Sequence, residues 1–117
     1  IAIYRYNMGL TKTEIFTESQ NKMALIAKTL GHPARIAILQ ELIKMNSCIC
    51  GHLVLEIGLA QSTISQHLTA LKQAGLIKGS ISGTSVCYCI DEKVWGEVQL
   101  AFSDFFALGP TTNKDCC

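Results

Sequence analysis

Apolar residues recur along this chain at helical spacing, switch once to the alternation of strands, and return to helical spacing near the end. From Thr11 to Leu30, the residues Phe16, Met23, Ile26, Ala27 and Leu30 fall on or near one face, which predicts a helix ended by Gly31. Pro33 suits the first turn of a second helix, where N–H groups lack intrahelical partners. Ile36, Leu39, Leu42 and Ile43 carry that helix to about Lys44, and Asn46-Ser47 breaks it. A short helix is expected from Cys50 to Ile57, with Leu53, Val54 and Ile57 inward and Gly58 at a tight turn. Gln61–Gln73 reads as the next helix. Ile64, Leu68 and Leu71 form its apolar stripe, Ser62, Thr63, Gln66, His67 and Gln73 fall off that stripe, and Gly75 stops it. Two short helices joined by a brief Gly-containing turn form a helix-turn-helix.

The period then changes. Ile77 and Ile81 precede Ser82-Gly83, and Val86, Tyr88 and Ile90 alternate afterwards, which predicts a β-hairpin. Cys87 and Cys89 share the strand face opposite that set; two thiols on one face could bind a soft ion, but they are not expected to be ligands. Asp91 suits an N-cap, Glu92 favours the positive end of a helix, and Val94, Val98, Phe102, Phe105 and Leu108 give that last helix a continuous apolar face before Gly109-Pro110. A hairpin directly behind the Gln61–Gln73 helix is a wing. The expected fold class is therefore mainly α with a small β-hairpin, a winged helix-turn-helix.

The polar side of the Gln61–Gln73 helix suggests what it meets. Its first turns carry short, uncharged hydrogen-bonding side chains, as a helix needs when its N-terminal end faces base edges in the major groove. Gln61, Ser62, Thr63, Ser65, Gln66 and His67 are the candidates for the groove, Lys72 and Lys78 for phosphates, and Ser82, Gly83 and Thr84 for the wing tip. Gln66 is the best placed for a bidentate contact to adenine. Net charge is only +1 over 117 residues, which is weak support for nucleic acid, but its distribution says more. Ile57 to Ile90 contains no Asp or Glu, so this stretch can approach phosphates without repelling them. At 49% hydrophobic and 16% charged, the chain is apolar-rich for one small domain, so part of its surface is expected to meet a second subunit. No apolar run approaches the roughly 18 residues of a membrane span, and Ile1 to Asn7 lacks the features of a signal peptide, so a cytoplasmic location is expected. The expected organisation is an N-terminal extension at 1–10, a DNA-binding and dimerisation domain at 11–109, and a cysteine-bearing tail at 110–117.

Six cysteines form three close pairs, Cys48/Cys50, Cys87/Cys89 and Cys116/Cys117. In a reducing compartment such thiols bind metal or sense redox more often than they build a disulfide framework. Cys48 and Cys50 lie at or just before the first helix of the helix-turn-helix, so an ion held there would reshape what positions Gln61–Gln73. Residues two apart in a regular helix point to different sides, so this requires an extended or distorted helix start.

Four segments together resemble the ArsR/SmtB family of metal-responsive winged-helix repressors: LGHPARIAIL (Leu30–Leu39), CICGHL (Cys48–Leu53), STISQHLTALKQAGLI (Ser62–Ile77) and GTSVCYCI (Gly83–Ile90). They cover most of Ala24 to Ile90 in that family's order. The resemblance implies a homodimer closed by the first and last helices, with the two Gln61–Gln73 helices facing successive major grooves of a double-stranded operator. It also implies release of the operator by arsenite or antimonite on three cysteine thiolates, without an organic cofactor. Trivalent arsenic is a soft ion for which thiolate outcompetes imidazole and carboxylate. Cys48 and Cys50 stand one residue out of register with the family's usual pair, and the family's occasional third local cysteine falls on Val54. The expected ion ligands are thus Cys48 and Cys50 with a third thiol from Cys116 or Cys117, or the tail pair itself. The last helix has no histidine, so the family's histidine/carboxylate zinc site is not expected. His32 is expected to be structural and His52 exposed.

Two other readings fit the same residues. One is a repressor of this fold whose cysteines sense redox by forming disulfides. The other is a winged helix used only for protein contact. An enzyme is not expected, since no cysteine–histidine spacing of a catalytic signature and no phosphate loop is present.

Overall fold

The computed structural model describes residues 13–46, 57–82 and 85–110. A 3-10 turn at Thr13–Ile15 leads into α1 (Glu18–Leu30), α2 (Pro33–Met45), α3 (Gln61–Gln73), strands β1 (Ile77–Ser82) and β2 (Ser85–Ile90), and α4 (Glu92–Ala107). The helix expected from Cys50 lies outside the described residues, apart from Ile57 at its end.

Three of the four helices, α1, α2 and α4, begin where the sequence supplies a side-chain cap. α1 starts later than expected, because Thr17 and Gln20 form a capping box. Gln20 N–H donates to Thr17 Oγ1 (3.0 Å), and Thr17 N–H donates to Gln20 Oε1 (2.9 Å). Phe16 precedes the helix and is 48% exposed, so it does not join the apolar face expected of it. His32 is the N-cap of α2, its Nδ1 accepting from the Ala34 N–H (3.1 Å), with Pro33 in the first turn. Asn46 ends α2 in the left-handed conformation (φ 51°). Asp91 caps α4, its Oδ1 accepting from the Val94 N–H (3.2 Å). The end of α3 is a Schellman motif. Gly75, at φ +87°, donates to the Lys72 carbonyl (3.0 Å) and Leu76 donates to the Leu71 carbonyl (3.1 Å).

The core sits where α1, α2, α3 and the start of the hairpin converge. Ile26, Ile38, Leu39, Leu42, Ile64, Leu68, Leu71, Leu76 and Ile77 form one buried cluster. Two expected core positions of α2, Ile36 and Ile43, are exposed instead. The stripe that turns inward is Ala34, Ile38, Leu39 and Leu42, which has equally helical spacing and lies on the other side of Leu39. α4 contributes only half-buried residues, Trp95, Val98 and Phe102, to this cluster, with Val94 half-buried beside Gly75 and Leu100 facing outward. Phe105, Leu108 and Phe106 are all exposed, Phe106 to 73%.

β1 and β2 pair antiparallel from Ile77↔Ile90 to Ser82↔Ser85, with Lys78 opposite Cys89 and Ser80 opposite Cys87. The Asp91 N–H donates to the Leu76 carbonyl (3.0 Å), closing the open end of the hairpin against the end of α3. No helix among the described residues is long and apolar enough to cross a membrane.

Candidate nucleic-acid interface

α3 presents two different faces. Ile64, His67, Leu68 and Leu71 are buried, while Gln61, Ser62, Ser65, Gln66, Thr69, Lys72 and Gln73 are exposed and Thr63 is half-buried. The exposed set lies along one side of the helix. It begins at an N-terminus where Ala60 supplies no side-chain cap, so the positive pole of the helix is unmasked. No acidic residue occurs in α3 or in either strand.

His67 stands apart from the groove candidates. It is 8% exposed and belongs to the packed face, not the polar one. The Arg35 Nε donates to His67 Nδ1 (3.1 Å), and the Arg35 guanidinium also donates to the Thr29 carbonyl at the end of α1 (3.2 Å). The His32 ring lies against the His67 ring, with centroids 4.4 Å apart. Burial chiefly, with the nearby His32 and Arg35 charges, lowers the His67 pKa below the ordinary histidine value. The neutral ring is the form that accepts the Arg35 hydrogen bond. Arg35 thus joins α1, α2 and α3 and fixes how α3 is presented. Apolar periodicity alone does not single it out. The available signal was a cation inside an otherwise apolar stretch, three residues after His32.

The two lysines separate on either side of the hairpin. Lys72 Nζ lies 3.4 Å from the point a Cβ on Gly79 would occupy, and the Tyr88 ring lies 3.3 Å from the same point. Gly79 and Tyr88 are ladder partners on the core side of the sheet, so Lys72 crosses from α3 to the base of the wing there. Lys78 is on the opposite side, with Cys89. Ser82 ends β1, while Gly83, Thr84 and the four cysteines Cys48, Cys50, Cys116 and Cys117 lie outside the described residues. Among the described residues no three His, Cys, Asp or Glu side chains are grouped to hold a metal ion. Cys87 and Cys89 are both disulfide-bonded.

A polar, acid-free helix face set in a three-helix core and followed at once by a two-stranded wing defines a winged helix-turn-helix DNA-binding protein. The model of the bacterial regulatory protein arsR family matches residues 32–78, from the cap of α2 into β1. An HTH-type transcriptional regulator of Methanocaldococcus jannaschii is 39% identical over 85 residues, 71% of this chain and 94% of the relative. The biofilm growth-associated repressor of Xylella fastidiosa is 31% identical over 72 residues, 62% of each chain. The crystal structure of Mycobacterium tuberculosis Rv0081 superposes with a TM-score of 0.62 at 30% identity, over 79% of this chain and 92% of that one. The chain belongs to the ArsR family. Its members and these relatives are DNA-binding transcriptional regulators, not enzymes.

Proposed function

We propose that this chain is a homodimeric repressor that holds a double-stranded operator through α3 and its wing and releases it when a soft ion, arsenite or antimonite, takes cysteine thiolates. The observation that carries the DNA half is the exposed, uncharged edge formed by Gln61, Ser62, Ser65 and Gln66 at the unmasked positive end of α3. Such side chains meet base edges, while Lys72 and Lys78, on the two sides of the hairpin, reach the phosphates on either side. With His67 committed to Arg35, Gln66 is the residue that distinguishes adenine.

Support for the dimer comes from the outer side of α4. Leu100, Phe105 and Phe106 are exposed, and a groove of about 410 Å³ between α1 and α4 has an apolar lining that includes Met23, Val98 and Phe102, with Glu18, Lys22 and Glu97 lining it as well. Apolar surface of this extent is stabilised by association. The ion half rests on sequence: Cys48, Cys50, Cys116 and Cys117 are soft donors at the approach to α3 and in the tail. The proposed setting is the cytoplasm.

Fluorescence anisotropy on duplex DNA from upstream of the chain's own gene, titrated with arsenite under reducing conditions, tests this reading. Release is expected for the native protein and expected to be lost in the Cys48→Ser/Cys50→Ser variant. Loss in the Cys116→Ser/Cys117→Ser variant as well assigns the third thiol to the tail. Tight binding that ignores arsenite sinks the ion assignment and leaves the repressor. A second reading, in which thiol oxidation is the signal, is favoured by one observation, the disulfide-bonded state of Cys87 and Cys89.

A further inference from the structure

β2 carries a pair of sulfurs with unusual surroundings for a wing. Cys87 and Cys89 lie on the face of β2 turned away from Tyr88 and Ile90, which pack on the core. Alternation alone makes that face the outward one, yet Cys87 is only 5% exposed. Both cysteines are disulfide-bonded. Cys89 also lines an open cavity of about 530 Å³, walled by Ile43 and Asn46 from the end of α2, Lys78 from β1, and Glu92 and Trp95 from the start of α4.

We propose that Cys87 and Cys89 are a thiol–disulfide exchange site whose state sets the affinity of this repressor for DNA, with small dithiols as the reductant and small disulfides as the oxidant. The proposal rests on the redox reading above and names its residues. Three features on the page support it. The cavity brings Cys89 within reach of a small reagent, whereas Cys87 is covered. Lys78 stands directly opposite Cys89 on the ladder and lines the same cavity, so its ammonium favours a thiolate leaving from, or attacking at, that sulfur, while the Glu92 carboxylate, which also lines the cavity, opposes it. The third feature is the short path to the reading helix. β2 is paired along its length to β1, and β1 begins one residue beyond the Gly75–Leu76 stop of α3.

The exchange balances without any further reactant. One thiolate of the dithiol attacks the Cys89 sulfur, the protein S–S bond breaks, and the displaced partner sulfur leaves as a thiolate and takes up a proton. The second thiol of the reagent then displaces Cys89 from the mixed disulfide. For each protein S–S bond opened, the reagent leaves as a cyclic disulfide, having given two electrons, and the protein gains two thiols. In a reducing compartment a protein disulfide is transient more often than structural, which suits a signal. The reduced form is the tighter binder. A duplex is met by α3 in the groove and by the hairpin on the backbone, and the two must adjust to each other. A bridge on the far face of β2 restrains the hairpin side of that adjustment.

The test uses the full chain in two preparations, treated with a dithiol or with a small-molecule disulfide. Peptide mass mapping without reduction identifies the cysteine joined to Cys87 and to Cys89, and anisotropy on the upstream duplex measures affinity for each preparation. The expected result is a bridge at both residues in the oxidised form, at least about tenfold weaker DNA binding in that form, and recovery on adding dithiol. The Cys87→Ser/Cys89→Ser variant is expected to bind like reduced protein in both treatments. Should it fold poorly, the native protein alone decides. Equal affinity in the two preparations, tighter binding by the oxidised one, or free thiols at both residues after oxidation overturns the proposal. Absence of DNA binding in both preparations sinks the repressor reading together with it, which is a different result from equal binding.

Discussion

His67 occupies the centre of a polar network that joins the three core helices, and its protonation state is a structural matter. The folded protein holds the ring neutral beside Arg35 and His32, and the lowered pKa expresses that. In the unfolded chain the ring titrates near about 6.5. Between that value and the lowered one, the unfolded chain therefore binds more protons than the folded one. Stability is complete above this window and declines as pH falls through it. Thermal melts taken from about pH 7.5 down to about pH 5 are expected to show a fall that a His67→Gln variant lacks, and an identical fall in the variant would assign the acid sensitivity elsewhere. The position of His67 was legible in principle. Residues 64, 67, 68 and 71 repeat at helical spacing, and residue type, not spacing, is what placed His67 among the groove candidates. Cys87 differs, because alternation along β2 assigns its face correctly but carries no information about what covers that face. The exposed Gln61, Ser62, Ser65 and Gln66 needed only the stripe of Ile64, Leu68 and Leu71 to be placed.

At the scale of the element, boundaries follow caps. Gln61–Gln73 is bounded as its pattern predicts, since a polar run begins it and a glycine two residues past its end accepts a conformation that other residues resist. Gly75→Ala is expected to cost about 1–3 kcal/mol by forcing a Cβ into the left-handed region, measured as a lower midpoint in denaturant. The space around that Cβ is ordinary, with the nearest Val94 carbon at 3.7 Å, so the cost is one of backbone conformation and not of collision. A Gly75→Asn variant, whose side chain tolerates that conformation, is expected to lose less. Apolar period alone starts α1 too early, because the Thr17-x-x-Gln20 capping box sets its first turn. In α2, by contrast, two helical stripes share Leu39 and Leu42, and only the neighbouring helices decide which one turns inward.

For the whole molecule, the apolar residues left over by one subunit are the informative ones. α4 buries no residue fully in this chain, yet it is rich in phenylalanine, and Phe105 and Phe106 contact each other edge-on at 5.1 Å with open sides. A Phe105→Glu/Phe106→Glu variant is expected to sediment as a monomer and to lose operator binding, while its helical circular dichroism stays near that of the native chain. A stable dimer of this variant would place the interface elsewhere. The last helix was read as apolar from its period alone, but its outward direction was not, because period tells that a face exists and not which partner it meets.

Leu76 links these scales. Its N–H finishes the reading helix at Leu71, its carbonyl holds the Asp91 N–H at the root of α4, and its side chain is fully buried. A single residue is therefore the pivot between the helix proposed to meet the operator and the helix proposed to meet the other subunit. In a two-fold assembly, a small tilt of α4 at the subunit contact swings α3 through a longer arc, as a short lever moves a long one. The distance between the two half-sites that such a dimer accepts is then a property of how its subunits sit together, and operators of the wrong spacing are refused by geometry before any base is read.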